Sequence, residues 1–214
     1  MMKKNNVVIL DNGHGQNTPG KMSPDGLFRE WKWTREFVQR LKPRLEECGY
    51  IVFDIVTEDK DIGLTARANR ANKICDKYGA GNCVFVSVHC NAAGSDGEWH
   101  NATGWEVWTT VGKTNSDKLA ELMCEECELE GIRLRTDKND GDKDKESNFT
   151  VIKKTNCPAV LTENMFMDTK SDVEFLQSEE GIERLIKIHV NGIRRFFEDR
   201  NGTHTSWIKM NEHN

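Results

Sequence analysis

Short, nearly continuous apolar runs alternate along the chain with longer stretches in which apolar residues recur every three or four positions. Residues 7–10, 83–88 and 158–162 are apolar runs of the first kind and predict buried strands. Residues 50–56 predict a further strand. Residues 104–111, where Trp105, Val107 and Trp108 stand among polar neighbours, predict a half-exposed one. Between these lie the helical patterns. Residues 30–48 repeat Phe37, Leu41 and Leu45 at four-residue steps and meet Gly49, a stop signal. Residues 61–78 set Leu64, Ala68, Ala71 and Ile74 along one side, and residues 115–129, 172–177 and 181–197 complete the helices. Strand and helix in alternation predict a single α/β domain with a twisted, mostly parallel sheet. Strands that are apolar throughout require helices on both faces of that sheet.

The intervening segments add little structure. Residues 12–29, rich in Gly, Pro, Asn and Ser, predict a long loop. Residues 136–148, TDKNDGDKDKESN, faintly resemble a calcium loop, but placing Gly141 on the required glycine puts Thr136 and Lys138 on ligand positions. A solvated, mobile loop is the expectation there. The last dozen residues are polar and are expected to fray.

Composition narrows the partners. A length of 214 residues suits one sizeable domain. A net charge of −5 offers no field for a polyanion, so no nucleic-acid partner is expected. No apolar run approaches the ~18 residues of a membrane span. The opening MMKKNN leads into an apolar run of only residues 7–10, so no secretory leader is expected, and the seven cysteines are expected to be free thiols of a chain made in the cytoplasm. Cys124 and Cys127 form a CxxC inside an acidic helical run with no second pair, which favours packing over zinc or redox chemistry. The sequons at Asn101, Asn148 and Asn201 carry no weight without secretion. Six tryptophans suit either a core or a carbohydrate or peptide groove.

The strand ends carry the chemistry. The first run breaks into DNGHG with His14, the third into His89, and the last into Glu163. In a parallel sheet these ends share the edge where α/β proteins bind ligands. Two imidazoles and a carboxylate at irregular, wide spacing, with a fourth position open, suit a catalytic zinc rather than a structural one. Glu30 is the best candidate for the third ligand, because it opens the helix after the first strand, where the helix dipole favours an acid. Asp11, Asp25 and Glu106 are weaker competitors. Glu163 is then free to act as general base and acid. The glycines flanking His14 let the backbone turn sharply and approach a metal closely. No HExxH occurs, which excludes a zincin-type helix site.

Four motifs in order give these residues a family. LDNGHG (10–15), Glu30 in FREWKW, SVHCNA (87–92) and PAVLTE (158–163), with LTARANRAN (64–72) between, resemble the zinc-dependent N-acetylmuramoyl-L-alanine amidases of type 3 over residues 7–197. The resemblance implies that His14, Glu30 and His89 bind one zinc ion, that Glu163 is the catalytic carboxylate, and that Asn91 helps hold substrate. It makes Arg67 a structural residue. The implied activity is hydrolysis of the amide between N-acetylmuramic acid and L-alanine, with peptidoglycan or a muropeptide as partner and a monomer as the working form. Residues 1–200 would be the catalytic domain and 201–214 a polar tail. Without a leader, such an enzyme would reach the wall by release, as a phage endolysin does, or as a mature form. The chain departs from the family pattern at Asn12, where proline is common, at Cys90, and at Asn164–Met165 after the catalytic acid. Two other readings stay open. One is a carboxypeptidase-like zinc enzyme on a similar sheet, which would need a clamp such as Arg29, Arg67 or Arg70. The other is a wall-binding module without turnover.

Overall fold

Valine and isoleucine dominate the strand runs, and their branched side chains suit a pleated, buried surface. In a computed structural model, which describes residues 6–137 and 141–202, they form a six-stranded sheet in the order β2-β1-β3-β6-β4-β5. The strands are β1 (Val7–Asn12), β2 (Ile51–Asp54), β3 (Cys83–Asn91), β4 (Glu106–Thr109), β5 (Lys145–Glu146) and β6 (Ala159–Phe166). The helices are α1 (Glu30–Glu47), α2 (Leu64–Tyr78), α3 (Asn115–Leu129), α4 (Thr150–Lys153), α5 (Lys170–Gln177) and α6 (Glu179–Asn201). Strands β2, β1, β3 and β6 run parallel, β4 is antiparallel to β6, and β5 is parallel to β4.

Alternation along each strand divides the core in two, because successive side chains point to opposite faces. Val8, Leu10, Val84 and Val86 face the layer of α1, α3 and α6, where Phe37, Leu41, Met123, Leu185 and Ile193 close on them. Val7, Ile9 and Phe85 face α2 and α4, against Ala71, Cys75, Val151 and Ile152. Both faces are therefore covered, as the apolar strands require. Cys124 and Cys127 are fully buried in the first layer, and burial pushes the Cys127 thiol up to about 12, so they are packing residues.

The structure revises three strand boundaries. β1 continues through Asn12, β3 through Asn91 and β6 through Phe166, so His89 and Glu163 stand inside the ends of their strands, while His14 lies two residues beyond β1. The polar residues had hidden this, since an imidazole or carboxylate breaks the apolar pattern without breaking the ladder. The elements β5 and α4 are too short to show a period. The expectation of a solvated loop over 136–148 fails for its second half. Asp144 is 1% exposed and accepts from Thr109 Oγ1 at 2.6 Å, and Lys145 and Glu146 pair with β4. The polar tail expected over 201–214 lies, from residue 203 on, outside the described residues. Among the described residues no helix is long and apolar enough to cross a membrane.

Candidate active site

The site assembles where β1, β3 and β6 end. β1 delivers DNGHG, and its last bond to β3 is Gly13 N to Val88 O at 2.9 Å. His14 itself takes the left-handed conformation, φ 58°, while neither neighbouring glycine has a positive φ. The glycines serve close approach instead. A Cβ on Gly13 would lie 2.6 Å from the His89 ring, and one on Gly15 would lie 2.0 Å from Asp61 N. The strained turn is held through its carbonyl, which accepts from Arg67 Nη2 at 3.1 Å and Arg35 Nη2 at 3.2 Å. Arg67 is buried and reaches across from α2. It pairs with Asp11 Oδ1 at 2.8 Å and Asp61 Oδ1 at 2.8 Å, and donates to the carbonyls of Asn12 and Ile62. It is the structural residue expected of it, and its partner Asp11, which also accepts from Ser87, is committed away from the site.

Glu30 opens α1 at 0% exposure, with its backbone N–H donating to Lys21 O at 3.1 Å. Its Oε1 lies 3.0 Å from His89 Nδ1 and accepts from Cys90 N at 3.0 Å. That second donor is freed by an irregularity in the β3–β6 ladder between His89 and Asn91. Oε2 lies 3.5 Å from His14 Nε2 and has no hydrogen-bond donor. The two imidazoles meet edge to face with centroids 4.8 Å apart. One ligand atom from each of His14, Glu30 and His89 lies within 4.8 Å of the others, and no other such group of three occurs among the described residues. This donor set fits a tetrahedral ion with one side open, and a buried carboxylate oxygen without a donor is what such an ion would satisfy.

Electrostatics separate the roles. Burial pushes His14 down to about 4, against the charge of Glu30. Burial also opposes protonation of His89, but the hydrogen bond and charge of Glu30 outweigh it and raise His89. For Glu30 the burial penalty is outweighed by His89 and His14, which lower it. Glu163 stands directly across the ladder from His89. Burial pushes its carboxyl up to about 8, the charge of His89 works against this, and Glu30 adds to it. Its Oε2 is enclosed without a donor. A carboxyl poised near neutrality beside a metal-type triad can take up and return a proton.

The remaining candidates fall elsewhere. Asp25 caps a turn through Ser23 Oγ and Leu27 N. Glu106 faces Glu163 across the β4–β6 ladder but is held by Arg135 Nε and Lys145 Nζ. Asn91 stands two residues beyond His89, and its Oδ1 accepts from Ala92 N at 2.9 Å, capping the turn that follows. Three residues near the site were not singled out from the sequence. Asn164 ties Trp105 Nε1 to His89 O at 2.9 Å each, Asp168 Oδ2 accepts from Ala93 N and Gly94 N, and Lys21 O accepts from Glu30 N at 3.1 Å. Asn164 carried a signal, its departure from the motif pattern; the other two sit in loops that carry no period.

Comparison with known proteins agrees with this geometry. The model of the N-acetylmuramoyl-L-alanine amidase family matches residues 8–195. The N-acetylmuramoyl-L-alanine amidase CwlM of Bacillus licheniformis is 34% identical over 194 residues, which is 89% of this chain and 68% of that protein. The endolysin of Bacillus phage SPP1 is 29% identical over 192 residues, 87% of this chain and 64% of the endolysin. The crystal structure of the N-acetylmuramoyl-L-alanine amidase from Clostridium difficile 630 superposes with a TM-score of 0.78 at 27% identity, covering 92% of this chain and 100% of that one. With the family pattern running through every strand that builds the site, the chain belongs to the N-acetylmuramoyl-L-alanine amidase family.

Proposed function

We propose that the protein hydrolyses the amide bond between N-acetylmuramic acid and L-alanine in peptidoglycan, with one zinc ion held by His14, Glu30 and His89 and with Glu163 as the proton carrier. The observation that carries this reading is the convergence of those three side chains within 4.8 Å, with Glu163 paired to His89 in the next strand. The zinc would supply Lewis acidity, activating water and polarising the scissile carbonyl. Glu163 accepts a proton from the attacking water as the new C–O bond forms. It returns that proton to the nitrogen of L-alanine as the C–N bond breaks, leaving a free lactyl carboxylate and a free amine. Burial holds the Glu163 carboxyl above the usual carboxylate range, which suits it to keep the proton and return it to the leaving amine. Asn91, at the head of the loop beyond His89, is assigned to substrate. The likeness to a phage endolysin supports action on the cell wall; release from the cytoplasm and a monomeric working form are part of the same proposal.

Digestion of purified peptidoglycan, with mass spectrometry of the new ends, tests the reading. Free L-alanine amino termini that vanish with chelator and return with zinc are the expected result. New ends elsewhere in the stem, or no cleavage by zinc-loaded protein, would refute it.

A further inference from the structure

The ladder between β3 and β6 is regular as far as His89 and Glu163 and then slips. The next pair is Asn91 with Phe166, so Cys90 alone on β3 faces both Asn164 and Met165 on β6. The extra residue makes a bulge, and within it Met165 takes the left-handed conformation, φ 63°. A bulge beside the His89–Glu163 pair leaves the two strands free to shift unless something ties them. The Asn164 side chain supplies the tie. It is 0% exposed, and its Nδ2 donates to His89 O at 2.9 Å.

The neighbours of Asn164 fix the direction of that bond. His189, kept neutral by burial, has Nδ1 2.8 Å from Leu185 O, a carbonyl that can only accept, so its hydrogen is on Nδ1. His189 Nε2 then accepts from the Thr162 hydroxyl at 3.1 Å, and Thr162 Oγ1 accepts from Asn164 Nδ2 at 3.1 Å. Trp105 Nε1, which can only donate, holds Asn164 Oδ1 at 2.9 Å. The amide has one orientation that makes all these bonds, and it aims the nitrogen at His89 O. A buried chain of hydrogen bonds thus runs from α6 through β6 to the backbone of His89. The ring of His89 is held from its other side by Glu30 Oε1 at 3.0 Å.

Resting on the assignment of His89 as a metal ligand and Glu163 as the proton carrier, we propose that Asn164 is a positioning residue: its bond to His89 O locks the bulge and keeps the His89 ring and the Glu163 carboxyl in fixed register. Groups that orient a ligand from behind change metal affinity or rate by about 10- to 100-fold when removed.

The test reads metal binding apart from turnover. Asn164→Leu is close in size and makes none of these bonds. Asn164→Ala removes the same bonds with less demand on packing and decides the question if the first variant does not fold. Leu119→Ala, a truncation of a fully buried residue on α3, controls for lost stability alone. In the Asn164 variants, zinc affinity measured by competition with a chelator should fall about tenfold or more, and the visible absorption bands of the cobalt(II)-loaded protein should shift. On a soluble N-acetylmuramoyl-peptide, kcat should fall about tenfold or more with KM within about twofold. Leu119→Ala should unfold at lower urea yet keep the wild-type affinity and spectrum. Asn164 variants with wild-type affinity and spectrum, or a Leu119→Ala variant that shifts both alike, would overturn the assignment. Wild type that binds zinc but releases no L-alanine amino terminus would overturn the amidase reading alone, because affinity and spectrum are read without substrate.

Discussion

His14 holds a conformation that a β-carbon resists, and three neighbours make it tolerable: Gly13 and Gly15 give it room, and Arg67 bonds its carbonyl. The roles of the four site residues differ enough to separate by substitution. His14→Ala removes one of three ligands, so zinc content and turnover should both be lost. Glu163→Gln keeps the ligand set, so the variant should bind zinc in full by elemental analysis while kcat falls about 10²- to 10⁴-fold. A Glu163→Gln enzyme that turns over at near-normal rates would remove Glu163 from the reaction. Gly13→Ala is a subtler probe. Its new methyl would stand 2.6 Å from His89 Cε1 and Nδ1 and 2.7 Å from Val88 O, and neither backbone nor ring can yield without moving a ligand. Zinc affinity measured by competition with a chelator should fall about tenfold or more, with little change in overall secondary structure.

At the scale of elements, Arg67 is what couples α2 to the end of β1. All its donor groups are spent, on Asp11, Asp61 and the carbonyls of Asn12, His14 and Ile62, and it is 2% exposed. Arg67→Met leaves Asp11 as a buried charge with only Ser87 to answer it. Urea denaturation should show a loss of about 3–5 kcal/mol, the usual cost of breaking one side of a buried pair. A loss below 1 kcal/mol would mean that Asp11 readily finds another partner. The same elements show what the chain makes legible. The helix α3 is read to the residue, because its apolar repeat lies between a capping box at Thr114 and a charged end. The three strand ends, and with them His14, His89 and Glu163, are visible because polar residues interrupt buried runs. Their assembly depends on what no period reveals. The irregularity after His89 turns Cys90 N toward Glu30, β4 enters antiparallel and sets Glu106 beside Glu163, and Asp144 pulls the charged loop back onto the sheet. Pattern reports which face is buried; it is silent about where a single polar side chain finds its partner.

Over the whole molecule, two buried groups outside the His14–Glu30–His89 triad set opposing responses to acid. His189 of α6 lies fully buried between Phe37, Trp105 and Thr162, joining α1, α6 and the sheet, and burial pushes it down to about 4. The folded protein keeps it neutral while the unfolded chain protonates it near 6.5. Its contribution is thus complete above about pH 6.5 and is lost as the pH falls toward 4. Asp144 behaves in the reverse sense. Burial, opposed by the Thr109 hydrogen bond and assisted by Asp142, pushes it up to about 7. The folded protein holds a proton that the unfolded chain has shed, so its contribution is complete below about pH 4 and is lost as the pH rises through 7. Each effect amounts to about 2 kcal/mol between pH 7 and pH 5, and in the intact chain they largely cancel. Single variants should separate them. Asp144→Asn should lose about 2 kcal/mol more than wild type on passing from pH 7 to pH 5, because the histidine penalty is no longer offset. His189→Gln should instead gain stability over the same interval, because only the aspartate term remains. Urea unfolding of the three proteins at both pH values measures this directly, and groups common to all three, His14, Glu30 and His89 included, drop out of the comparison. If both variants follow the wild-type slope, the two groups titrate in the folded protein as they do in water, and the core around α6 and the edge at β5 are wetter than their packing implies.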